Sequence, residues 1–380
     1  MSEGAPIRLA ELSGSPRERG RLHGRDIPGV LQGYWRELVL DVTERSDHPM
    51  SEEALAGWVR ERAAPALSLE SDLEEEIRGI AEGAGVDYEL ALAVNLGEEV
   101  NHLAYGLGWH APTVQRCLSI VVPPEQSQTG GYLLAQTWDG PNWMPDPMMF
   151  VVEEETGRSA FIADPGWVGG AGLNDRGIGS VHTGVGTKVD SAPGLPYSFI
   201  ARRILRSDDL RSATESVTVL PATAGCHYIV VDGERVVDVE TAGPANAALT
   251  YTGPISTCAH FSDPNCRATE SDPGKRLVSE FRVGRLLDLF QQAAPVGPLD
   301  LFRLISDHEP GPDGAMVCLH PGSMRSLGSV VIDLADRTAW GKAGNPCLPR
   351  PVTQVTLSGS GYESRTFTLA ENQAVPAPQP

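Results

Sequence analysis

Cys117 is the residue whose type and position most directly suggest covalent chemistry. It lies in the stretch TVQRCLSIVV, after a polar, basic segment and before a run of β-branched and aliphatic residues, so it stands at the start of a predicted strand. A cysteine thiolate is a nucleophile when it is accessible, whereas most free cysteines are small buried hydrophobic residues. The thiol alone leaves both interpretations open.

Three further residues could take part in such chemistry. Asp139 ends the predicted strand YLLAQTWD and could orient the thiol, although an aspartate that opens a turn such as DGPN also has a common structural role. His182 in SVHTGV and His260 in TCAHF could each act as the base of a conventional Cys–His hydrolase. For His260, a structural histidine is the equal alternative.

Metal and nucleotide sites are not expected. The chain has no HExxH, no GxxxxGK[ST] and no fitting GxGxxG, and its nine histidines show no zinc-ligand spacing. No two cysteines form a CxxC pair, which favours free thiols in a reducing compartment over a disulfide framework. The six cysteines are residues 117, 226, 258, 266, 318 and 347.

The charge balance excludes some partners. With 50 acidic and 30 basic side chains, the formal charge is −20, which argues against non-specific binding to nucleic acid or to anionic membrane surfaces. No apolar run reaches the ~18 residues of a transmembrane helix, and the N-terminus lacks the basic-then-apolar order of a secretory signal. We therefore expect a cytoplasmic protein.

The predicted secondary structure around these residues changes from helices to strands at Cys117. Before it the pattern is helical: Leu69, Leu73, Ile77 and Ile80 recur at helical spacing in SLESDLEEEIRGIAEGAGVD, and the helix is expected to end near Gly85. After it, short runs with period two alternate with turns. Helical patterns return in SFIARRILRS and KRLVSEFRVGRLLDLFQQ.

This separation of helices from hairpins predicts an α+β fold with helices layered on sheets. We expect a mostly helical N-terminal segment over residues 1–116, a core over 117–350 and a C-terminal extension over 351–380. The Pro-rich end of that extension, AVPAPQP, is predicted to be disordered.

Several segments together resemble the isopenicillin-N acyltransferase family, a group of self-processing N-terminal-nucleophile (Ntn) hydrolases. EEIRGIAEGAGVDYELALAVNLGEEV resembles the helical "E-x-x-G-I-A-E-G-A-G … N-x-x-E" segment of that family, and RCLSI followed by LLAQTWD resembles its "G-C-T-x … G-Q-N-W-D" core. GGAGLNDRGIG, TCAHF, VCLH and GNPC resemble its "G-x-G-x-N-x-x-G-L", "T-N-H-F", "I-C-R-H" and "G-x-P-C". The matches follow the order of the family across residues 15–347.

The resemblance implies a four-layer αββα sandwich and a precursor that is cut between Arg116 and Cys117. Cys117 would then begin a second subunit, giving a self-derived α/β heterodimer that could assemble further into a homo-oligomer. The new α-amine, with an unperturbed pKa near ~8, can take the proton of the thiol, so the nucleophile carries its own base. A thiol inside a strand could neither attack the preceding carbonyl nor gain this amine.

The resemblance also implies roles for other residues. Asp139 matches the aspartate of the family's active site, and Gln136 and Trp138 fit its "Q-N-W-D" motif as substrate-pocket residues. Asn174 matches the asparagine of the strand–turn motif, and Trp143 belongs to an aromatic and methionine-rich cluster that could form an apolar acyl pocket. No cofactor is implied, although acyl-CoA could serve as an acyl donor, and secondary metabolism is the expected setting.

Three positions depart from the pattern of the family. Arg116 precedes the nucleophile where the family has glycine, the residue that best tolerates a strained peptide. Thr183 stands where the family has an oxyanion-stabilising asparagine, so a backbone N–H or His182 would have to substitute. Leu319 replaces the arginine of "I-C-R-H", so a positive charge expected near the site is missing.

Three functions stay open at this point. The leading hypothesis is a thiol-dependent enzyme that hydrolyses an N-acylated amine, or transfers its acyl group, through a Cys117 thioester; water is always present, which favours hydrolysis. The second is an uncleaved member of the family that binds an acylated small molecule without turnover. The third is a Cys–His hydrolase that uses His182 or His260 and needs no chain cleavage.

Overall fold

A computed structural model describes residues 4–108, 116–188, 192–243, 245–271, 276–320, 322 and 324–369. Two segments named above, Thr113–Gln115 and the tail AVPAPQP, lie outside these residues. The described helices are α1 (Pro16–Asp26), α2 (Val30–Thr43), α3 (Glu52–Leu69), α4 (Ser71–Ala84), α5 (Tyr88–Asn95), α6 (Gly97–Gly106), α7 (Tyr197–Arg206), α8 (Leu210–Thr218), α9 (Pro264–Arg267), α10 (Arg276–Ala293) and α11 (Pro298–Leu304).

The described strands fall in three blocks of the chain, apart from a short first strand. They are β1 (Leu9–Leu12), β2 (Leu118–Val122), β3 (Leu133–Pro141), β4 (Met148–Glu154), β5 (Gly157–Ala163), β6 (Ala171–Asn174), β7 (Gly179–Gly184), β8 (Cys226–Val231), β9 (Val236–Ala242), β10 (Ala245–Tyr251), β11 (Ile255–Thr257), β12 (Met324–Asp333), β13 (Thr338–Ala343), β14 (Val352–Ser358) and β15 (Gly361–Phe367).

The N-terminal segment is helical, as its apolar spacing predicts. The helix expected over SLESDLEEEIRGIAEGAG is α4, and Gly85 ends it in the left-handed conformation at φ 69°. Leu69 belongs instead to the end of α3, because the chain bends at Glu70 between the two helices. Helices α1 and α4 approach closely at Gly20, where a Cβ atom would overlap with the backbone carbonyl of Glu76.

Two sheets form the centre of the molecule. The eight-stranded sheet has the order β1-β4-β5-β6-β7-β8-β9-β10, and the seven-stranded sheet has the order β11-β2-β3-β12-β13-β14-β15. Among the described strands, all neighbours are antiparallel except β1 and β4. β1 therefore joins the N-terminal segment to a core sheet, and β14 and β15 extend the other sheet from within the segment after residue 350.

The sheets and helices form four layers. β2, β3 and β12 of the seven-stranded sheet face β5, β6 and β7 of the eight-stranded sheet. Helices α7 and α8 cover the outer face of the eight-stranded sheet, and α10 and α11 cover the outer face of the seven-stranded sheet. The α+β sandwich with order αββα is thus confirmed. Among the residues that the structure describes, every helix is too short or too polar to traverse a lipid bilayer.

Strand β2 shows why the region after Cys117 lacks a polar face. Leu118, Ile120 and Val122 pack toward α10 and α11, whereas Val121 packs between the sheets. A strand buried on both faces reads as a continuous apolar run. Cys117 lies one residue before this strand, at its open end.

Candidate active site

The Cys117 thiol lies in the wall of a narrow cavity. The side chain is only partly buried, and the backbone N–H of Asp139 donates to its sulfur at 3.5 Å. Burial, followed by the negative charge of Asp139, raises the pKa of the thiol. An intact chain thus holds the thiol in its neutral form.

The cavity lies where α6, β3, β7 and the start of α7 meet beside Cys117, and its volume is about 50 Å³. Its aromatic and sulfur-containing lining consists of Tyr105, Cys117, Trp138, Met144, Trp167, Tyr197 and Met324. Its polar lining consists of Glu98, Asn101, Arg116, Asp139, Asp164 and His182. An apolar wall with a few converging polar groups is typical of a small-molecule site.

The Asp139 carboxylate points away from the thiol, toward α10. It accepts hydrogen bonds from Arg282 Nη2 at 2.7 Å, from Ser326 Oγ at 2.7 Å and from Thr137 Oγ1 at 3.0 Å. Burial raises the pKa of this carboxyl group, and Arg282 opposes the rise. Ser326 reaches Asp139 at a β-bulge, where the pairing of β12 with β3 shifts by one residue.

Arg282 is the residue of this site that the sequence analysis missed. Its guanidinium is fully buried and donates to the carbonyl of Arg116, the peptide bond immediately before Cys117. It also donates to the carbonyls of Met316 at 2.8 Å and Val317 at 3.0 Å. The positive charge expected from the arginine that Leu319 replaces is therefore supplied from α10.

The position of Arg282 in α10 is a sequence signal that could have identified it. Arg282 lies four residues from Val278 and from Leu286, on the buried stripe of α10. A charged residue on such a stripe requires a buried partner. Identifying that partner as Asp139 requires the fold, because the two residues are 143 positions apart.

Arg116 fills the other side of the cavity with its side chain. Its Nη1 lies 2.5 Å from Glu98 Oε1, and its guanidinium stands 5.2 Å from the centre of the Tyr105 ring. His102 Nε2 contacts the same carboxylate at 3.0 Å. Burial acts to raise the pKa of Glu98, but Arg116 and His102 outweigh it and lower the pKa to about 2.

Of the two candidate histidines, only His182 lines the cavity. Its ring contacts Ser180 Oγ at 2.8 Å and the Tyr197 hydroxyl at 3.1 Å, and burial lowers its pKa to about 3. His260 lies outside the lining, with Nδ1 2.6 Å from Ser279 Oγ, and burial lowers its pKa to about 4. Both imidazoles are therefore neutral near neutral pH.

Thr183 points between the two sheets and not into the cavity. Its hydroxyl lies 2.9 Å from the hydroxyl of Thr257, which in turn lies 2.8 Å from Ser119 Oγ. This chain of three hydroxyls joins β7 to β11 and β2. Thr183 does not belong to the lining, although its neighbours His182 and Gly184 do.

Of the four predicted substrate-pocket residues, one lines the cavity and three do not. Trp138 lines the cavity, and its indole N–H donates to Asp164 Oδ1 at 2.9 Å. Gln136 is buried, and its side-chain oxygen accepts from the backbone N–H of His182 at 2.7 Å. Trp143 packs beside Tyr34, and Asn174 holds the turn after β6 through the backbone N–H groups of residues 176 and 178.

Asp164 is a second polar residue of the cavity that the sequence analysis missed. It follows β5 and also accepts a hydrogen bond from the Tyr34 hydroxyl at 3.1 Å. Burial raises its pKa to about 7, and the hydrogen bonds from Tyr34 and Trp138 oppose the rise. Asp164, Glu98 and Asp139 are the three carboxyl side chains of the cavity lining, which also contains the cation Arg116.

Comparison with known proteins gives a family, and the solved structures that align with the chain include the following two. The family model described as acyl-coenzyme A:6-aminopenicillanic acid acyl-transferase matches residues 126–347. Penicillin V acylase from Agrobacterium tumefaciens aligns with a TM-score of 0.42 and 14% identity, covering 68% of this chain and 93% of that one. A mutant of conjugated bile acid hydrolase from Clostridium perfringens aligns with a TM-score of 0.38 and 9% identity, covering 69% of this chain and 99% of that one. No curated protein matches the chain.

Proposed function

The chain belongs to the acyl-coenzyme A:6-aminopenicillanic acid acyl-transferase family, and from this premise we propose that it is a self-processing enzyme with Cys117 as its nucleophile. An enzyme of the Ntn type that acts on acyl amides follows from the family. The finer assignment rests on one observation: Arg282 donates to the carbonyl of Arg116, which is the carbonyl that the adjacent thiol would attack.

The processing step converts this peptide bond into a thioester. The sulfur of Cys117 bonds to the carbonyl carbon of Arg116, the peptide C–N bond breaks, and the thiol proton moves to the departing nitrogen. Negative charge develops on the carbonyl oxygen, where a buried cation is worth most as a donor. Water then attacks the thioester and releases the Arg116 carboxylate and the free thiol; the α-amine of Cys117 is already free from the first step.

The mature site repeats the same chemistry on a substrate. The free α-amine takes the thiol proton, the sulfur attacks the carbonyl of an N-acylated amine, and the amine leaves with that proton. Water or an acceptor amine then resolves the acyl-thioester. We assign hydrolysis of the thioester as the default outcome, with transfer of its acyl group to an acceptor amine as the alternative; acyl-CoA, where it serves as the acyl donor, is a substrate and not a cofactor.

Intact mass spectrometry of purified protein tests this proposal. The wild-type chain is expected as two fragments, residues 1–116 and 117–380, and Cys117→Ala as one chain of 380 residues. Cys266→Ala is the matched control, because Cys266 is also a free thiol but lies in α9, outside the cavity lining. It is expected to be cut like the wild type.

Two results would favour the other candidates. An uncut wild-type chain whose activity is lost on alkylation of Cys117 would support a Cys–His hydrolase, with His182 as the base that lines the cavity. The low pKa of His182 makes it a weak base and speaks against this mechanism. An uncut chain whose biological function survives Cys117→Ala would support a binding protein.

A further inference from the structure

Four potential metal ligands converge at one point of the structure, outside the cavity lining. They are His308 after α11, Cys318 and His320 before β12, and Cys347 between β13 and β14. His320 Nε2 lies 2.8 Å from His308 Nε2, 3.3 Å from Cys347 Sγ and 3.7 Å from Cys318 Sγ. All four ligand atoms lie within 4.8 Å of one another.

We propose that these four side chains form a tetrahedral site for a zinc ion. Zinc binds thiolate sulfur at about 2.3 Å and imidazole nitrogen at about 2.0 Å, which puts the ligand atoms of a tetrahedron roughly 3.3–3.8 Å apart. The spacings of His320 Nε2 from Cys347 Sγ and Cys318 Sγ, 3.3 and 3.7 Å, lie in this range, and the 2.8 Å between the two histidine nitrogens is shorter. Two sulfur and two nitrogen ligands select zinc over calcium and magnesium, which prefer oxygen.

The site is structural, because four protein ligands leave no open coordination position. Two thiolates also balance the charge of the ion, so a neutral cluster can be partly buried. Cys318 and Cys347 are buried, and the two histidines are partly exposed, which gives an ion access to the site. Both cysteines are free thiols in the structure and are therefore available as ligands.

The ion would fix the segment that holds Arg282. The carbonyls of Met316 and Val317, immediately before Cys318, accept two of the hydrogen bonds of Arg282. Leu319, between the two ligands Cys318 and His320, donates its backbone N–H to Ser326 Oγ at 3.1 Å, and Ser326 donates to Asp139. The four ligands are thus positioning residues for the Arg282–Asp139 pair.

Sequence patterns alone do not predict this site, because its ligands do not follow the spacing of a zinc motif. His308 precedes Cys318 by ten residues, and Cys347 follows His320 by 27. The sequence analysis did single out VCLH and GNPC, and the proposed function of the cavity uses neither. The metal site gives both motifs a role.

Elemental analysis of the purified full chain tests the proposal. The wild type is expected to carry about one zinc per chain, and Cys347→Ser and His320→Asn to lose most of it. Cys266→Ser and His48→Asn are the controls, since Cys266 is a buried thiol elsewhere and His48 is exposed. Both controls are expected to keep the zinc content of the wild type.

Cobalt replacement gives a readout that does not depend on activity or on variants that fold. Wild-type protein stripped of zinc and loaded with Co²⁺ is expected to show the visible bands of a tetrahedral ion and a sulfur-to-cobalt charge-transfer band. A chain that binds neither metal would overturn the proposal. So would a mass lower by two hydrogens that maps to a Cys318–Cys347 disulfide.

A separate observation concerns the side chain of Arg116, which lines the cavity beside Cys117. Its interpretation rests on the proposed function. When Cys117 attacks the preceding carbonyl, the product is a thioester whose acyl group is Arg116. An acyl-enzyme made from a substrate has the same bond at the same sulfur. The side chain of Arg116 therefore lies where the acyl chain of a substrate is expected to bind.

We infer that the substrates are amides whose acyl chain carries a cation about four carbons from the carbonyl. The guanidinium of Arg116 contacts Glu98 and stands over the ring of Tyr105. Movement of Arg116 out of the cavity after cleavage would leave the largely buried Glu98 carboxylate with His102 alone, and a buried charge strongly favours an opposite charge beside it. A cationic acyl chain would restore the pair.

Processed wild-type protein and three amides of 7-amino-4-methylcoumarin test this inference. Their acyl groups are 5-guanidinopentanoyl, neutral hexanoyl and anionic glutaryl. We expect kcat/KM for the guanidino amide to exceed that for the hexanoyl amide by more than about tenfold. We expect this ratio to fall toward one in Glu98→Gln.

The outcomes separate this inference from the proposed function. A cut chain with Cys117-dependent hydrolysis that prefers the neutral or anionic amide would overturn the substrate class and leave the mechanism intact. An uncut wild-type chain that hydrolyses no amide would overturn both. If Glu98→Gln is not cut, the ratio of kcat/KM for the guanidino amide to that for the hexanoyl amide in the wild type alone decides the substrate class.

Discussion

Arg282 links the Asp139 carboxylate to the Arg116 carbonyl by one hydrogen bond to each. One Nη atom donates to Asp139, and the other donates to the carbonyl of Arg116. We predict that Arg282→Lys slows cleavage at residue 116 by roughly 100-fold or more, since an ammonium keeps the charge but loses the planar pair of donors. Mass spectrometry of freshly synthesised chain over time measures the rate.

Arg285→Lys is the matched control for that change. Arg285 lies three residues further along α10, where it pairs with Asp307 near the surface at 2.7 Å. Its replacement is expected to leave the cleavage rate unchanged. Cleavage of folded Arg282→Lys at the wild-type rate would remove Arg282 from the mechanism, and a thermal unfolding curve establishes that the variant is folded.

Thr183 gives a second test at the scale of a residue. Its hydroxyl is engaged with Thr257 between the sheets, so Thr183→Val is expected to lower the free energy of unfolding by about 1 kcal/mol and to leave cleavage intact. Urea unfolding and the cleavage assay measure the two effects. Cleavage slowed by about 100-fold would instead assign Thr183 the oxyanion role that its alignment with the family suggests.

The residues that sequence analysis could identify are those whose signal is local. Cys117 and Asp139 belong to short motifs, and both border the cavity. Arg282 and Asp164 gain their roles from partners far along the chain, such as the Tyr34 hydroxyl that donates to Asp164. Burial and pairing of this kind depend on the folded arrangement, which one sequence does not contain.

At the scale of elements too, local structure could be predicted from the sequence and long-range strand pairing could not. The segment YIVVDGERVVDVET predicts a hairpin that turns at Asp232 and Gly233. Strands β8 and β9 confirm it, and Gly233 has the positive φ of 87° that such a turn needs. The parallel pairing of β1 with β4 was not predicted, because the LAEL strand has four residues and its partner lies about 140 positions away. The hydrophobic pattern of a strand does not identify a partner strand at such a separation in the sequence.

The β8–β9 hairpin carries a buried ion pair whose effect depends on pH. His227 Nδ1 lies 2.8 Å from Asp238 Oδ2, and Nε2 lies 2.8 Å from the carbonyl of His260. Burial acts to lower the pKa of His227, but Asp238 outweighs it and raises the pKa to about 9. The unfolded value is about 6.5. The folded state therefore binds the extra proton between these two values.

We predict that this pair stabilises the fold fully below pH 6.5 and that its contribution disappears as the pH rises through 9. The loss amounts to at most about 3–4 kcal/mol, because the pKa rises from about 6.5 to about 9 and one pKa unit corresponds to about 1.4 kcal/mol. Urea unfolding of the wild type and of the double variant His227→Gln/Asp238→Asn, which keeps a hydrogen bond without titration, measures the difference. Equal slopes with pH in the two proteins would contradict the prediction.

At the scale of the whole molecule, the two proposed fragments share one core. Strand β1 pairs with β4 across the cleavage point, and Asn95 donates to the carbonyl of Gly166 at 2.8 Å and accepts from the N–H of Val168 at 2.9 Å. A buried ion pair joins Arg202 to Glu76 of α4. Separation would expose these groups without partners, which is costly for buried charges.

We therefore predict that the cut chain stays one particle. Size-exclusion chromatography under native conditions is expected to give the same elution volume for cut wild-type protein and for uncut Cys117→Ala, and only denaturant should part residues 1–116 from 117–380. Release of the smaller fragment without denaturant would show that β1 and the N-terminal helices are held less firmly than their burial implies. Retention keeps Glu98 and Tyr105 in the cavity lining with the thiol after the cut, and it keeps the hydrogen bond from Tyr34 to Asp164. The cleavage then breaks the bond between Arg116 and Cys117, so an α-amine is uncovered in a cavity whose walls still come from both fragments.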